Sequence, residues 1–222
     1  MKSTRVIILA AGRGDRWKNY RGTTKHLVKI EGKTLLERTC SQFLKYTDDV
    51  CVIGANNDYK VDGTSLYVVK SDNTHWKDAS KFLSSTNLWK LDGRTVLVFG
   101  DVYFTSEAVK TIMKDTDPFK FFLRKGPSEL SGARWKEIFA LSFNETMVRD
   151  INQKLLYLTS MGQAQRQAGW ELYRCMIGPA PSGLFDNNHY VEINDWTEDF
   201  DFPEDLEIWE EHRKKNRSKK SS

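Results

Sequence analysis

Gly12, Arg13, Gly14 and Arg16, followed by Lys25, form the most chemically suggestive cluster in this chain. They come directly after the apolar run Val6-Ile7-Ile8-Leu9-Ala10-Ala11. Glycine lets a backbone approach a ligand closely and adopt positive φ. Guanidinium and ammonium groups match the charge and geometry of phosphate oxygens. Together these residues describe a loop that receives the phosphates of a nucleotide. Two commoner glycine loops are excluded. A dinucleotide fingerprint needs a third glycine three residues after the second, and that position is Trp17. A P-loop needs Gly-Lys-Ser/Thr after four intervening residues, and none follows Gly12. The phosphate-facing charge here comes from side chains.

A second candidate is Asp101, which directly follows the apolar run Val96-Leu97-Val98-Phe99-Gly100. Open α/β sheets bind ligands at the carboxyl edge of their strands. A carboxylate at that edge is well placed to hold Mg²⁺, which takes oxygen ligands and keeps waters and phosphates in its shell. The alternative is that Asp101 caps the following turn.

The residues Leu9-Ala10-Ala11-Gly12-Arg13-Gly14-Asp15-Arg16, then Thr24-Lys25-His26-Leu27 and Gly32-Lys33-Thr34-Leu35-Leu36, resemble the N-terminal motif of nucleotidyltransferases with the GT-A fold. That group includes sugar-phosphate nucleotidyltransferases, molybdenum cofactor guanylyltransferases and phosphocholine cytidylyltransferases. Its members usually have proline where this chain has Thr24. The resemblance implies a Mg²⁺-dependent transfer of a nucleoside monophosphate from a triphosphate to a phosphorylated small molecule, such as a sugar phosphate or phosphocholine, with release of pyrophosphate. Mn²⁺ is the alternative ion. Arg16, with Arg13, would hold the β and γ phosphates, and Lys25 the α-phosphoryl oxygens. Leu9, Ala10, Ala11, Gly12, Arg13 and Gly14 would contact the nucleotide. Asp101 would be one metal ligand. Asp201-Phe202-Pro203-Glu204-Asp205-Leu206 resembles the segment whose first aspartate is the second, with Asp195 and Asp199 as rivals for that role. Asn73 and Ser80 lie in a stretch that resembles the base- and sugar-binding segment of the cytidylyltransferases.

These residues need a scaffold, and the pattern of the chain supplies one. Short apolar runs alternate with helical spacings, which argues for a mostly parallel sheet between helices, an α/β three-layer sandwich of GT-A type. The spacing predicts strands at 5–10, 50–53, 67–69, 95–99, 120–123, 138–143, 147–151 and 155–158. It predicts helices at 34–46, 78–89, from Ser106 as N-cap, at 163–176 and at 203–213. One domain is expected over residues 1–211, with a basic, disordered tail at 212–222.

Composition narrows the classes. A chain of 222 residues with net charge +4 can bury a full α/β core. No apolar run reaches the roughly 18 residues needed to span a bilayer, and no signal peptide is evident. Cys40, Cys51 and Cys175 lack metal spacing and read as structural thiols of a reducing, cytoplasmic compartment. Lys125 and Arg134 are candidates to meet the second substrate, or are solvated loop charges. Trp135, Trp170 and Trp196 are read as packing anchors. Two other functions stay open. A GT-A glycosyltransferase would use a nucleotide sugar, and the basic tail would then suit a nucleic-acid or other polymeric acceptor. A non-catalytic nucleotide-binding module would have less need of Arg16, Lys25, Asp101 and Asp201 together.

Overall fold

A computed structural model of the chain describes residues 3–12, 14–69, 82–161, 168–177 and 188–220. The first strand, β1 (Thr4–Leu9), lies inside a seven-stranded sheet, apart from the short hairpin of β2 (Lys29–Ile30) and β3 (Lys33–Thr34). β4 (Val50–Gly54) and β6 (Arg94–Phe99) pair with it in parallel on either side, and β5 (Ser65–Val68) closes one edge. Beyond β6 come β9 (Glu137–Asn144), β8 (Phe119–Arg124) and β10 (Tyr190–Glu192). Only β9 runs against its neighbours.

The central strands carry unbroken apolar runs, Val6–Leu9, Val50–Ile53 and Val96–Phe99, because both faces are covered. Val6, Ile8, Val96 and Val98 pack with α1 (Leu35–Phe43) and α2 (Ser106–Lys114). Ile7, Leu9, Ile53 and Leu97 pack on the other face with α3 (Val148–Ser160) and α4 (Ala168–Ile177). The result is the three-layer α/β sandwich that the alternation of elements predicts. α1 starts at a capping box. Glu37 N donates to Thr34 Oγ1 at 3.1 Å and Thr34 N donates to Glu37 Oε2 at 2.7 Å, which satisfies two otherwise orphaned donors.

Four expectations change. Residues 147–151 and 155–158 are one helix, α3, and not two strands. Val148, Ile151, Leu155 and Leu158 recur at helical spacing and turn one face to the core, and Asn144 Oδ1 accepts from Thr146 N at 3.0 Å to start the turn. The N-cap of α2 is Thr105, whose Oγ1 accepts from Ala108 N at 3.0 Å. The last helix, α5 (Pro203–Lys220), runs on through residues 212–220, which were expected to be disordered. Leu206 and Trp209 are buried and dock its first half. Arg213 is then tied down by Glu31 at 3.0 Å, and basic residues at a helix C-terminus suit its dipole. Of the helix expected at 78–89, residues 78–81 lie outside the described residues, Phe82 and Leu83 are helical, and Thr86–Leu88 is a 3₁₀ turn. Among the described residues, no helix is long and apolar enough to cross a membrane.

Candidate active site

The carboxyl ends of β1 and β6 lie side by side because Gly100 has no side chain. A Cβ there would stand 2.8 Å from Ala10 Cβ and 3.1 Å from Leu9 O. Asp101 therefore emerges beside the loop that follows β1. Gly14 turns that loop at φ +64°, a conformation that side-chain-bearing residues rarely adopt. Trp17, where a dinucleotide loop would need glycine, is buried and donates from Nε1 to Thr23 O at 3.1 Å. Thr24 has φ −72° and ψ 155°, the extended shape that proline favours. Its hydroxyl meets Tyr59 Oη at 3.1 Å, so the missing proline leaves the backbone direction intact.

Lys25, in the 3₁₀ turn Lys25–Leu27, is thereby aimed inward and is buried. Its ammonium contacts the Asp101 carboxylate and lies 3.6 Å from that of Asp201. Burial alone pushes the lysine pKa down, but Asp101, Asp201 and Asp199 outweigh it and hold it above the ordinary value. Arg16 donates to Asp201 Oδ1 at 2.7 Å and lies 5.2 Å above the ring of Phe202. The tertiary structure thus brings Arg16, Lys25, Asp101 and Asp201 into one cleft of 470 Å³. Leu9, Ala10 and Ala11 are buried at its strand edge. Arg13, Asn73 and Ser80 lie outside the described residues.

Asp201 is positioned by the start of α5. Asp205 Oδ2 accepts from Asp201 N at 3.1 Å and from Phe202 N at 2.8 Å. Just upstream, β11 (Glu198–Asp199) pairs with β7 (Val102–Tyr103). Glu198 is buried and accepts from Arg124 and Ser128, which pins the ribbon to β8. Its neighbour Asp199 faces the cleft. Burial pushes the Asp199 carboxyl well above its usual range, with Glu137 and Asp201 adding repulsion. Glu137, at the start of β9, is raised in the same way by burial and by Asp201 and Asp101.

Four carboxylates, Asp101, Glu137, Asp199 and Asp201, line the cleft together with four cations, Arg16, Lys25, Lys136 and Arg174. Among the described residues, no group of three or more His, Cys, Asp or Glu side chains is set to hold a metal ion. Asp101 and Asp201 nevertheless converge on one cation position, now taken by the Lys25 ammonium. That fits an ion such as Mg²⁺, which draws much of its shell from water and phosphate.

The remaining wall was not read from the sequence. Trp135 is 78% exposed and lines the cleft, so it is not a packing anchor. A large ring held at the mouth of a loop has no core to enter there. Trp170 is buried and carries the Lys136 ammonium 4.8 Å from its ring centre. Trp196 packs against Trp209, as expected of an anchor. Lys136, Glu137 and Arg174 complete the wall. Their only sequence signal is charge beside an exposed tryptophan at 135–137. Lys125 pairs with Glu192 at 2.8 Å, and neither it nor Arg134 lines the cleft.

The chain resembles several solved structures along nearly its whole length. CTP:phosphocholine cytidylyltransferase (LicC) from Streptococcus pneumoniae superposes with a TM-score of 0.66 at 14% identity, covering 94% of this chain and 98% of that one. Rv0371c from Mycobacterium tuberculosis H37Rv gives 0.63 at 16%, covering 95% and 98%. CMP:2-keto-3-deoxy-manno-octonic acid synthetase, solved with CTP, gives 0.59 at 12%, covering 92% and 95%. At these identities the likeness establishes the fold. Comparison with curated protein sequences gives no match. The sequence profile of the MobA-like NTP transferase domain matches residues 6–118, the half of the chain that holds Arg16, Lys25 and Asp101, and the chain belongs to that nucleotidyltransferase family.

Proposed function

We propose that this protein transfers a nucleoside monophosphate from a nucleoside triphosphate to a phosphorylated small molecule, releasing pyrophosphate, with Mg²⁺ as cofactor. The observation that carries this reading is the placement of Lys25 between Asp101 and Asp201, with Arg16 on Asp201, at the carboxyl edge of β1 and β6. A triphosphate is a better partner for Arg16 than the single carboxylate it now holds. With Arg16 on the β and γ phosphates, Asp201 would be free to hold a Mg²⁺ ion together with Asp101. Lys25, already charged and aimed inward, then neutralises the α-phosphoryl oxygens. Mg²⁺, held by Asp101 and Asp201, would supply charge neutralisation at the phosphates worth several kcal/mol. The protein's own work is in-line positioning and charge placement, the usual source of rate in phosphoryl-type transfer.

The acceptor would enter along Trp135, Lys136, Trp170 and Arg174. Two cations on this wall suit a phosphomonoester, and the exposed ring of Trp135 suits an apolar or quaternary-ammonium group that it carries. The acceptor named for LicC, phosphocholine, is of this kind. A nucleotide-sugar reaction would not need Arg16, because a sugar donor lacks the β–γ pyrophosphate.

The test is a thermal-shift panel of nucleoside triphosphates and nucleotide sugars, with and without Mg²⁺. A ligand that binds only the folded state raises its stability. A Mg²⁺-dependent shift with one triphosphate, lost in Asp101→Asn, is the expected result. A shift with a nucleotide sugar and little response to any triphosphate would replace nucleotidyl transfer with glycosyl transfer.

A further inference from the structure

Val102 lines the active-site cleft, and the next residue of β7, Tyr103, lines a second cavity of 440 Å³ on the other side of the ribbon. Successive residues of a strand face opposite ways, so the two cavities share a wall. The second cavity gathers Arg38 and Gln42 from α1, Ser106 from the first turn of α2, Arg213 from α5, and the ring of Trp196.

Both guanidinium groups lie against the Tyr103 ring, 4.7 and 4.9 Å from its centre. Arg38 donates to its hydroxyl at 2.7 Å and Arg213 at 2.5 Å. Both also pair with Glu31 at 3.0 Å. A guanidinium has five N–H donors, and one carboxylate and one hydroxyl cannot use those of two. Arg38 Nε is buried with no hydrogen-bond partner among the described residues. Such a donor is costly unless something fills the site. Asp195, which meets the lining residue Thr105, is taken up by the Thr105 hydroxyl and the Thr197 amide.

We propose that this cavity is a second ligand site, which binds the phosphate group of a small phosphorylated molecule. Phosphate is an oxyanion rich in acceptor oxygens that guanidinium groups hold in forked pairs. The lining residues take no part in the proposed transfer, so this site stands or falls independently of that reading. The ribbon stands between this cavity and the cleft that holds Lys25, so a ligand here would act as an effector and not as a second substrate.

Arginine Nε–H signals of ¹⁵N-labelled protein, titrated with inorganic phosphate, report on each site separately. Arg38→Lys and Arg213→Lys assign the two signals. Both should shift together and saturate in the millimolar range. Ser106→Asp puts a like charge at the cavity while suiting the start of a helix, so the variant should fold. It should weaken phosphate here by about fivefold or more, the scale of one unit charge at close range in a partly exposed site, and leave the Arg16 response unchanged. Arg38 and Arg213 signals that do not move, a response confined to Arg16, or shifts that survive Ser106→Asp would each overturn the proposal.

Discussion

Lys25 sets the electrical state of the cleft, because it is the buried cation that Asp101, Asp199 and Asp201 all act upon. On the proposed transfer, removing it takes away a donor aimed at the transferring phosphoryl group. Lys25→Ala should lower turnover by about 10²–10³-fold, the usual cost of losing one such group, while far-UV circular dichroism stays that of the wild type. Full activity in this variant would remove Lys25 from the mechanism. A residue of the opposite kind is Cys40. Burial pushes its thiol up to about 12, so almost no thiolate exists at pH 8. Iodoacetamide at pH 8, read by mass spectrometry, should modify half-buried Cys175 and leave Cys40 untouched until denaturant is added. Early labelling of Cys40 would mean that its helix opens readily.

Among the elements, the β7–β11 ribbon carries the most consequence for its length. Two residues from each strand hold Asp199 toward the cleft, and Glu198 is its anchor. A buried ion pair is no large gain over apolar packing, but removing one partner strands the other charge. Glu198→Ala should therefore cost about 3–5 kcal/mol in urea unfolding, by leaving Arg124 unpaired. A loss under about 1 kcal/mol, the range of a surface pair, would show that water reaches Arg124. The ribbon was hidden in the sequence because its strands are two residues long. A period-2 pattern needs roughly four residues or more to be seen. α3 shows the opposite problem: its helical face was present at Val148, Ile151, Leu155 and Leu158 but was divided into two short apolar runs.

Across the whole molecule, α5 returns the end of the chain to its beginning. Glu210 pairs with Arg21 at 2.9 Å, Glu207 accepts from Tyr20, and Trp209 packs against Tyr103 and Phe200. The loop after β1 holds Lys18, Asn19 and Arg21 at positive φ, so it needs outside support to keep its shape. Trp209→Ala should cost about 3–5 kcal/mol, typical of a buried tryptophan. If that loop grips the triphosphate as proposed, the variant should also raise KM for the triphosphate more than it lowers kcat, because the loop loses its brace. Unchanged KM with lowered stability would show that the loop holds its shape alone.

The sequence by itself determined the two-sided sheet, the glycine-bearing loop that follows its first strand, and the strand end that carries Asp101. These depend on neighbours in the chain: apolar runs, glycines at a strand edge, and cations a few residues away. Tertiary structure decided that Glu137, Asp199, Trp135 and Trp170 share that cleft, that α5 continues to Lys220, and that Arg38 and Arg213 meet on Tyr103. Residues so far apart along the chain meet only when the sheet forms and its helices dock, and no local spacing encodes those meetings.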